Sequence, residues 1–257
     1  MGTKALLKRA IRGRTFQSKY DRDRFLVSYP RSGNTWLRTI IFHAQIGRPP
    51  QNLAEVDFGV PDKHAPPLRS QLIAPEHGER EFCVKSHEPY RLDTIYRGVA
   101  YIVRDPRDVI PSYFRYISRK KRKAHTDFEV FATGCVLGAI WPGSWYDHVS
   151  SWCFFRSTHP EHITVLPYEN LVSLNKKEID RLGFSLNLSG VDLYALFESY
   201  DLEAMRELEE RGNRSSEQAP GFIGQGKAKM NQRKLVDELI ERHAPHWREL
   251  MTNFGYT

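Results

Sequence analysis

Three short segments carry the side chains best suited to chemistry. In Phe25-Leu-Val-Ser-Tyr-Pro-Arg-Ser-Gly-Asn-Thr-Trp-Leu-Arg38, an apolar strand pattern enters a turn at Gly33 and then a helical pattern. Such a junction aims several backbone N–H groups at one point, and the helix N-terminus adds partial positive charge, which suits a phosphate. Arg31 adds a full charge, and the hydroxyls of Ser32 and Thr35 add donors. The G-x-x-x-x-G-K-[ST] spacing is absent, and taken alone the turn is equally an ordinary connection. In Phe82-Cys-Val-Lys-Ser-His87, Lys85 and His87 are two apart, so a strand projects both from one face with Cα atoms about 6–7 Å apart. A cation beside an imidazole keeps the ring neutral and available as a base near pH 7; the plain alternative is an edge-strand polar pair. In Tyr101-Ile-Val-Arg-Asp-Pro-Arg-Asp-Val-Ile-Pro-Ser-Tyr113, Arg104 ends a strand and Ser112 lies about two turns into the next helix. An arginine fork suits bidentate phosphate recognition, and a serine hydroxyl completes such a cradle. Asp105 reads as a helix cap, and Arg107 and Asp108 as surface or intrahelical pairs.

These residues need a scaffold, and the hydrophobic pattern supplies one. Phe25 to Ser28, Glu81 to His87, Gly98 to Val103 and His162 to Leu166 read as buried strands, the third nearly continuous in apolar residues. Helical patterns cover Thr35 to Ala44, Arg107 to Arg119, Phe128 to Leu137, Ser144 to Ser157, Lys176 to Leu182, Val191 to Phe197, Leu202 to Arg211 and Gln232 to Asn253. Pro111 is placed to kink the second of these, and the last is expected to break near Pro245 and close at Gly255. Alternating strands and helices predict an α/β fold, a central parallel sheet flanked by helices. The expected division is a basic N-terminal extension over residues 1–22 and one domain over 23–257. Gly47 to Glu79 and Gly212 to Asn231 read as long loops of the kind that form lids.

Composition narrows the function classes without choosing one. Lys plus Arg at 38 against Asp plus Glu at 31 leaves a net charge of +7, which favours an anionic partner. Cys83, Cys135 and Cys153 form no C-x-x-C pair, which argues against a disulfide framework and for a reducing, cytoplasmic setting. No histidine spacing suits a metal, no apolar run approaches the ~20 residues of a membrane span, and no signal-peptide core follows Met1 to Arg14. Leu6, Leu7, Ala10 and Ile11 permit a short amphipathic helix there, for docking at a membrane or as a solvated extension. The basic run Arg119 to Lys123 is either a solvated helix end or a nucleic-acid contact.

Together the segments resemble the cytosolic-type sulfotransferases that use 3′-phosphoadenosine 5′-phosphosulfate (PAPS), in the form of a bacterial-type member. Tyr29 to Trp36 resembles the P-K-S-G-T-T-W loop, Lys85-Ser-His87 the K-T-H segment, and Val103 to Val109 with Ser112 the 3′-phosphate motif. Gly143-Ser-Trp-Tyr-Asp-His-Val149 with Trp152 resembles the G-S-W-Y-x-H-V helix, and Pro167-Tyr-Glu-Asn-Leu171 the Y-E-D-[LM] strand end. The resemblance implies a P-loop-like sulfotransferase fold and sulfuryl transfer to an acceptor hydroxyl or amine, without a metal. It implies His87 as general base, and Arg31, Lys85 and Ser112 as further catalytic groups. Ser32, Gly33, Asn34 and Thr35 would hold the 5′-phosphate, and Arg104 and Ser112 the 3′-phosphate. Trp36, Tyr168 and Tyr200 would surround the adenine. The closing loop departs from its F-x-R-K-G-x-x-G-D-W pattern: Phe222 and Gly226 remain, Gly224 replaces the arginine, and Lys227 or Lys229 is the candidate replacement cation. A small-molecule, glycan or lipid acceptor is implied, with no nucleic acid. A small-molecule or nucleotide kinase is the rival enzyme, and a basic nucleic-acid-binding protein the rival of another class.

Overall fold

A computed structural model describes residues 24–56, 83–92, 96–120, 127–213, 223 and 228–257. Four strands, β1 (Arg24–Ser28), β2 (Cys83–Ser86), β3 (Val99–Val103) and β4 (Ile163–Pro167), form one sheet in the order β2-β1-β3-β4. All three pairings are parallel, with Val27 opposite Ser86 on one side and Tyr101 on the other. Parallel pairing needs crossover connections, and helices supply them: α1 (Asn34–Ile46) and the short α2 (Leu53–Val56) follow β1, while α3 (Pro106–Lys120), α4 (Phe128–Val136) and α5 (Trp145–Thr158) follow β3. After β4 come α6 (Tyr168–Val172), α7 (Lys176–Ser185), α8 (Leu193–Ser199), α9 (Leu202–Asn213), α10 (Met230–His243) and α11 (Trp247–Asn253).

The strand side chains alternate between two cores. Phe25, Val27, Tyr101 and Val103 pack on one face with Ile110, Trp145, Trp152, Leu239 and Trp247. Leu26, Ala100 and Ile102 pack on the other with Leu37, Ile40, Leu182 and Phe197. Both faces are covered, which explains why β3 reads as five buried apolar residues rather than an alternation. Trp145, Trp152 and Trp247 are fully buried; aromatic side chains bury about 150–250 Å² each, worth about 4–6 kcal/mol in transfer free energy.

The expected strands hold to within a residue for β1, β3 and β4; β2 is described from Cys83, and residues 81 and 82 of its expected range lie outside the described residues. Helix α3 runs unbroken through Pro111. The C-terminal pattern breaks between α10 and α11 at Ala244–His246 and closes at Gly255, whose φ is 77°. The N-terminal extension, most of the Gly47–Glu79 loop, residues 121–123 of the basic run, and Phe222, Gly224, Gly226 and Lys227 lie outside the described residues. No helix among the described residues is long and apolar enough to cross a membrane.

Candidate active site

Because all four strands run the same way, their C-terminal ends share one edge. The chain leaves β1 toward β2 on one side and later adds β3 on the other, so β1 is the switch point where open α/β sheets gather ligands. The residues singled out by sequence emerge there: 29–34 after β1, His87 after β2, Arg104 after β3 and Tyr168 after β4.

The turn after β1 is tightly constrained. Arg31 has φ 72° and Gly33 φ 94°, and a Cβ on Gly33 would stand 2.5 Å from the Tyr168 ring. Glycine therefore satisfies both the left-handed backbone and the close approach of an aromatic face. Gly33 caps α1 without any side-chain hydrogen bond, which leaves first-turn N–H groups to be satisfied by something else. Ser32 Oγ and Asn34 Oδ1 are buried and, among the described residues, have no hydrogen-bond partner. A buried polar atom left unmatched costs about 1–3 kcal/mol; the Ser32 hydroxyl and the uncapped first-turn N–H groups can donate to a 5′-phosphate, whereas Asn34 Oδ1 can only accept, its amide N–H₂ being turned to the Leu26 carbonyl and Ser28 Oγ.

Cations converge on this turn. Arg31 Nε donates to Ser112 Oγ at 3.3 Å, and its guanidinium lies 5.1 Å over the Tyr116 ring. Arg104 donates from Nη1 to the Arg31 carbonyl at 3.1 Å and lies 4.3 Å over the Tyr168 ring. Burial brings Arg31 down to about 10, Tyr116 opposing and Arg104 and Arg115 adding to the fall; it stays charged at neutral pH. Arg115 is lowered as well, first by burial, then by Arg119 and Arg104. Arg31, Arg104, Arg115 and Ser112 thus form one cationic cradle. The sequence reading missed Arg115 and Tyr116, although their positions three and four residues after Ser112 put them on its helix face.

The expected adenine residues also meet. Trp36 and Tyr168 are edge to face at 5.7 Å, Trp36 Nε1 donates to the Tyr200 carbonyl at 2.6 Å, and the Tyr200 hydroxyl lies 3.0 Å from His43 Nδ1. Thr35 sits in the first turn of α1, its carbonyl accepting from Thr39 Oγ1 at 3.0 Å.

His87 stands just beyond β2, one residue from the buried Ser86, with the partly buried Lys85 two residues back. Its Nδ1 is 2.7 Å from the Ser28 carbonyl. A carbonyl only accepts, so Nδ1 carries the proton and Nε2 keeps its lone pair, the tautomer a general base requires. Burial, then Lys85, pushes the imidazole down to about 3. The Trp141 ring stands 6.3 Å from it, edge to face.

Asp105 caps α3 by accepting from the Arg107 N–H at 2.8 Å and also pairs with Arg107 and Arg233. Arg107 and Asp108 are less superficial than expected. Arg107 reaches the Thr257 carbonyl at 3.0 Å, while the buried Asp108 pairs with Arg233 and accepts from the Ala228 N–H at 2.9 Å. The Ile223 N–H donates to Glu209 at 3.0 Å, so residues flanking the 224–227 segment are tied down on both sides. Among the described residues no three His, Cys, Asp or Glu side chains are grouped to hold a metal.

Comparison with known proteins follows the same line. A family model described as the sulfotransferase domain matches residues 21–255. Sulfotransferase 1A1 of Rattus norvegicus is 30% identical over 187 residues, 66% of this chain and 62% of the relative. The Mus musculus counterpart is 31% identical over 193 residues, 66% of this chain and 63% of the relative. The chain thus spans under two thirds of the length of these curated relatives. Mouse sulfotransferase SULT7A1, solved in complex with PAP, superposes with a TM-score of 0.61 at 21% identity, covering 91% of this chain and 89% of that one. Retinol dehydratase, solved with androsterone and PAP, gives 0.60 at 19% identity over 86% and 80%. The structural likenesses show the fold; with the family model spanning nearly the whole sequence, the chain belongs to the sulfotransferase family.

Proposed function

We propose that the chain transfers a sulfuryl group from PAPS to the hydroxyl or amine of a small-molecule, glycan or lipid acceptor, within the cytoplasm. The observation that carries this reading is the cradle of Arg31, Arg104 and Ser112 around an uncapped helix N-terminus with a buried, unmatched Ser32 hydroxyl. When bound, the nucleotide supplies an activated sulfuryl group on a phosphate leaving group. The main chain at 32–35 and the Ser32 and Thr35 hydroxyls bind its 5′-phosphate, and Arg104 and Ser112 bind its 3′-phosphate. Trp36, Tyr168 and Tyr200 hold the base. Phe222, Gly226 and Lys227, outside the described residues, are the further cofactor-binding candidates implied by the family resemblance.

His87 Nε2 takes the acceptor proton as the acceptor oxygen or nitrogen bonds to sulfur. With the nucleotide bound, Arg31 would stabilise the charge that the leaving phosphate takes up as the sulfuryl group passes to the acceptor. Lys85 steadies the sulfuryl oxygens. Sulfuryl transfer of this kind needs positioning and charge stabilisation more than covalent help, and fixed guanidinium groups supply both.

Thermal-shift measurements with adenosine 3′,5′-bisphosphate (PAP), ATP with magnesium, and a DNA duplex test the reading. Stabilisation by PAP alone is expected. A preference for ATP with magnesium would instead support a kinase, and a preference for DNA a nucleic-acid-binding protein; either overturns the proposal.

A further inference from the structure

We propose that His148 is the positioning residue for His87, holding the backbone of the strand end from which that imidazole works. This rests on the reading of His87 as the base and adds a second histidine that touches no reacting atom. His148 is 1% exposed and lies on α5, 61 residues from His87. Its Nε2 is 3.1 Å from the His87 carbonyl, and its Nδ1 is 2.9 Å from the Tyr101 hydroxyl. The carbonyl can only accept, so Nε2 carries the proton and Nδ1 accepts from Tyr101. The two histidines therefore hold opposite tautomers: His87 protonated on Nδ1 toward the Ser28 carbonyl, His148 on Nε2 toward the His87 carbonyl.

The same helix face continues the grip. Trp152 Nε1 donates to the Glu88 carbonyl at 3.1 Å, and Ser151 Oγ accepts from the Tyr90 N–H at 3.0 Å. Three neighbouring residues of α5 thus splint the irregular segment after β2, where no ladder bonds remain. The His148 bond sets the orientation of the peptide that leaves His87. That peptide fixes the Cα–Cβ direction of His87, and hence the fit of its Nδ1 to the Ser28 carbonyl. A supporting hydrogen bond that locks tautomer and ring orientation is how functional histidines are commonly held.

Histidine ring nitrogens in the free, 15N-histidine-labelled protein report this directly through long-range 1H–15N correlations. In the wild type, His87 is expected as the Nδ1–H tautomer and His148 as the Nε2–H tautomer. In His148→Phe the His87 nitrogens should move toward averaged values. His148→Gln, whose amide can still reach the carbonyl, should restore the single tautomer, and Ser157→Ala, at the exposed end of the same helix, should leave it unchanged. With p-nitrophenol as probe acceptor, kcat should fall about tenfold in His148→Phe with KM little altered, and recover in His148→Gln. Unchanged His87 signals in folded His148→Phe overturn the proposal. Should that variant not fold, His148→Asn replaces it: too short to reach the carbonyl, it must differ from His148→Gln, and identical His87 signals in the two overturn it equally. A His87→Ala variant that keeps turnover would remove the base assignment but leave the tautomer result standing, so the two failures are distinguishable.

Discussion

The cradle around Arg31 and the strand end around His87 share one edge of the sheet, yet different kinds of contact hold them. The cradle gathers cations: Arg31, Arg104 and Arg115 lie close together, backed by the faces of Tyr116 and Tyr168 and tempered by Glu209 and Asp108, with the buried Ser32 hydroxyl unmatched among the described residues. The strand end is built from completed hydrogen bonds, with Ser28, His148, Ser151 and Trp152 each engaged with residues 87–90. One half concentrates positive charge at an uncapped helix N-terminus; the other is a set of paired hydrogen bonds. Binding energy should therefore reside in the cradle and rate in the strand end.

The sharpest break of that contrast is His87→Ala. Turnover should fall about 10²–10⁴-fold, the usual worth of a general base, while PAP affinity by calorimetry stays within a few-fold of wild type. Turnover near normal, or affinity lost in parallel, would erase the distinction. Arg104→Ala is the converse. Losing a charge-assisted contact worth about 1.5–3 kcal/mol should weaken PAP binding about 10- to 100-fold, with the His87 tautomer intact by NMR.

Acid stability, compared between wild type and a histidine variant, probes the two histidines of the strand end. Burial holds both His87 and His148 near 3, against an ordinary value of 6.5, with Lys85 adding to the effect at His87. The unfolded chain takes up protons around pH 6.5 that the native state refuses. Stability is thus full above that pH and falls as pH drops toward 3, by about 1.4 kcal/mol per pH unit for each imidazole. Urea unfolding of His148→Gln across this range should show a slope shallower by about one proton; an identical slope would mean that His148 does not resist protonation. The smallest effect is expected for Arg115→Ala. PAP binding should weaken only a few-fold, since the residue is part-exposed and screened, and the loss should shrink at high salt. A loss as large as that of Arg104→Ala would make it a principal ligand.

Sequence made the two halves unequally legible. Strands β1, β3 and β4 were readable because a sheet covered on both faces demands unbroken apolar runs, as in Val99 to Val103. The cradle was readable because its parts are close in sequence to strand ends and follow a known motif order. Arg115 and Tyr116 were visible in principle through helical spacing from Ser112. The splint was not: His148 reaches His87 only because α5 packs across β3, and nothing in either local sequence states that a ring nitrogen meets a distant carbonyl. Asp108 pairs neither at the surface nor within its own helix for the same reason, its partner Arg233 lying on α10.

The hydrogen bonds from α5 to residues 87, 88 and 90 are all made to main-chain atoms. Those bonds do not depend on the side chains at 87 and 88, whereas the Tyr90 ring also packs on Tyr96, Trp152 and Phe155. A redesign could exchange the base at position 87 for another proton acceptor, or diversify Glu88 toward a new acceptor, without removing the bonds that define the path of the chain. The strand end behaves as a socket: the fold holds the holder, and the tool can be changed.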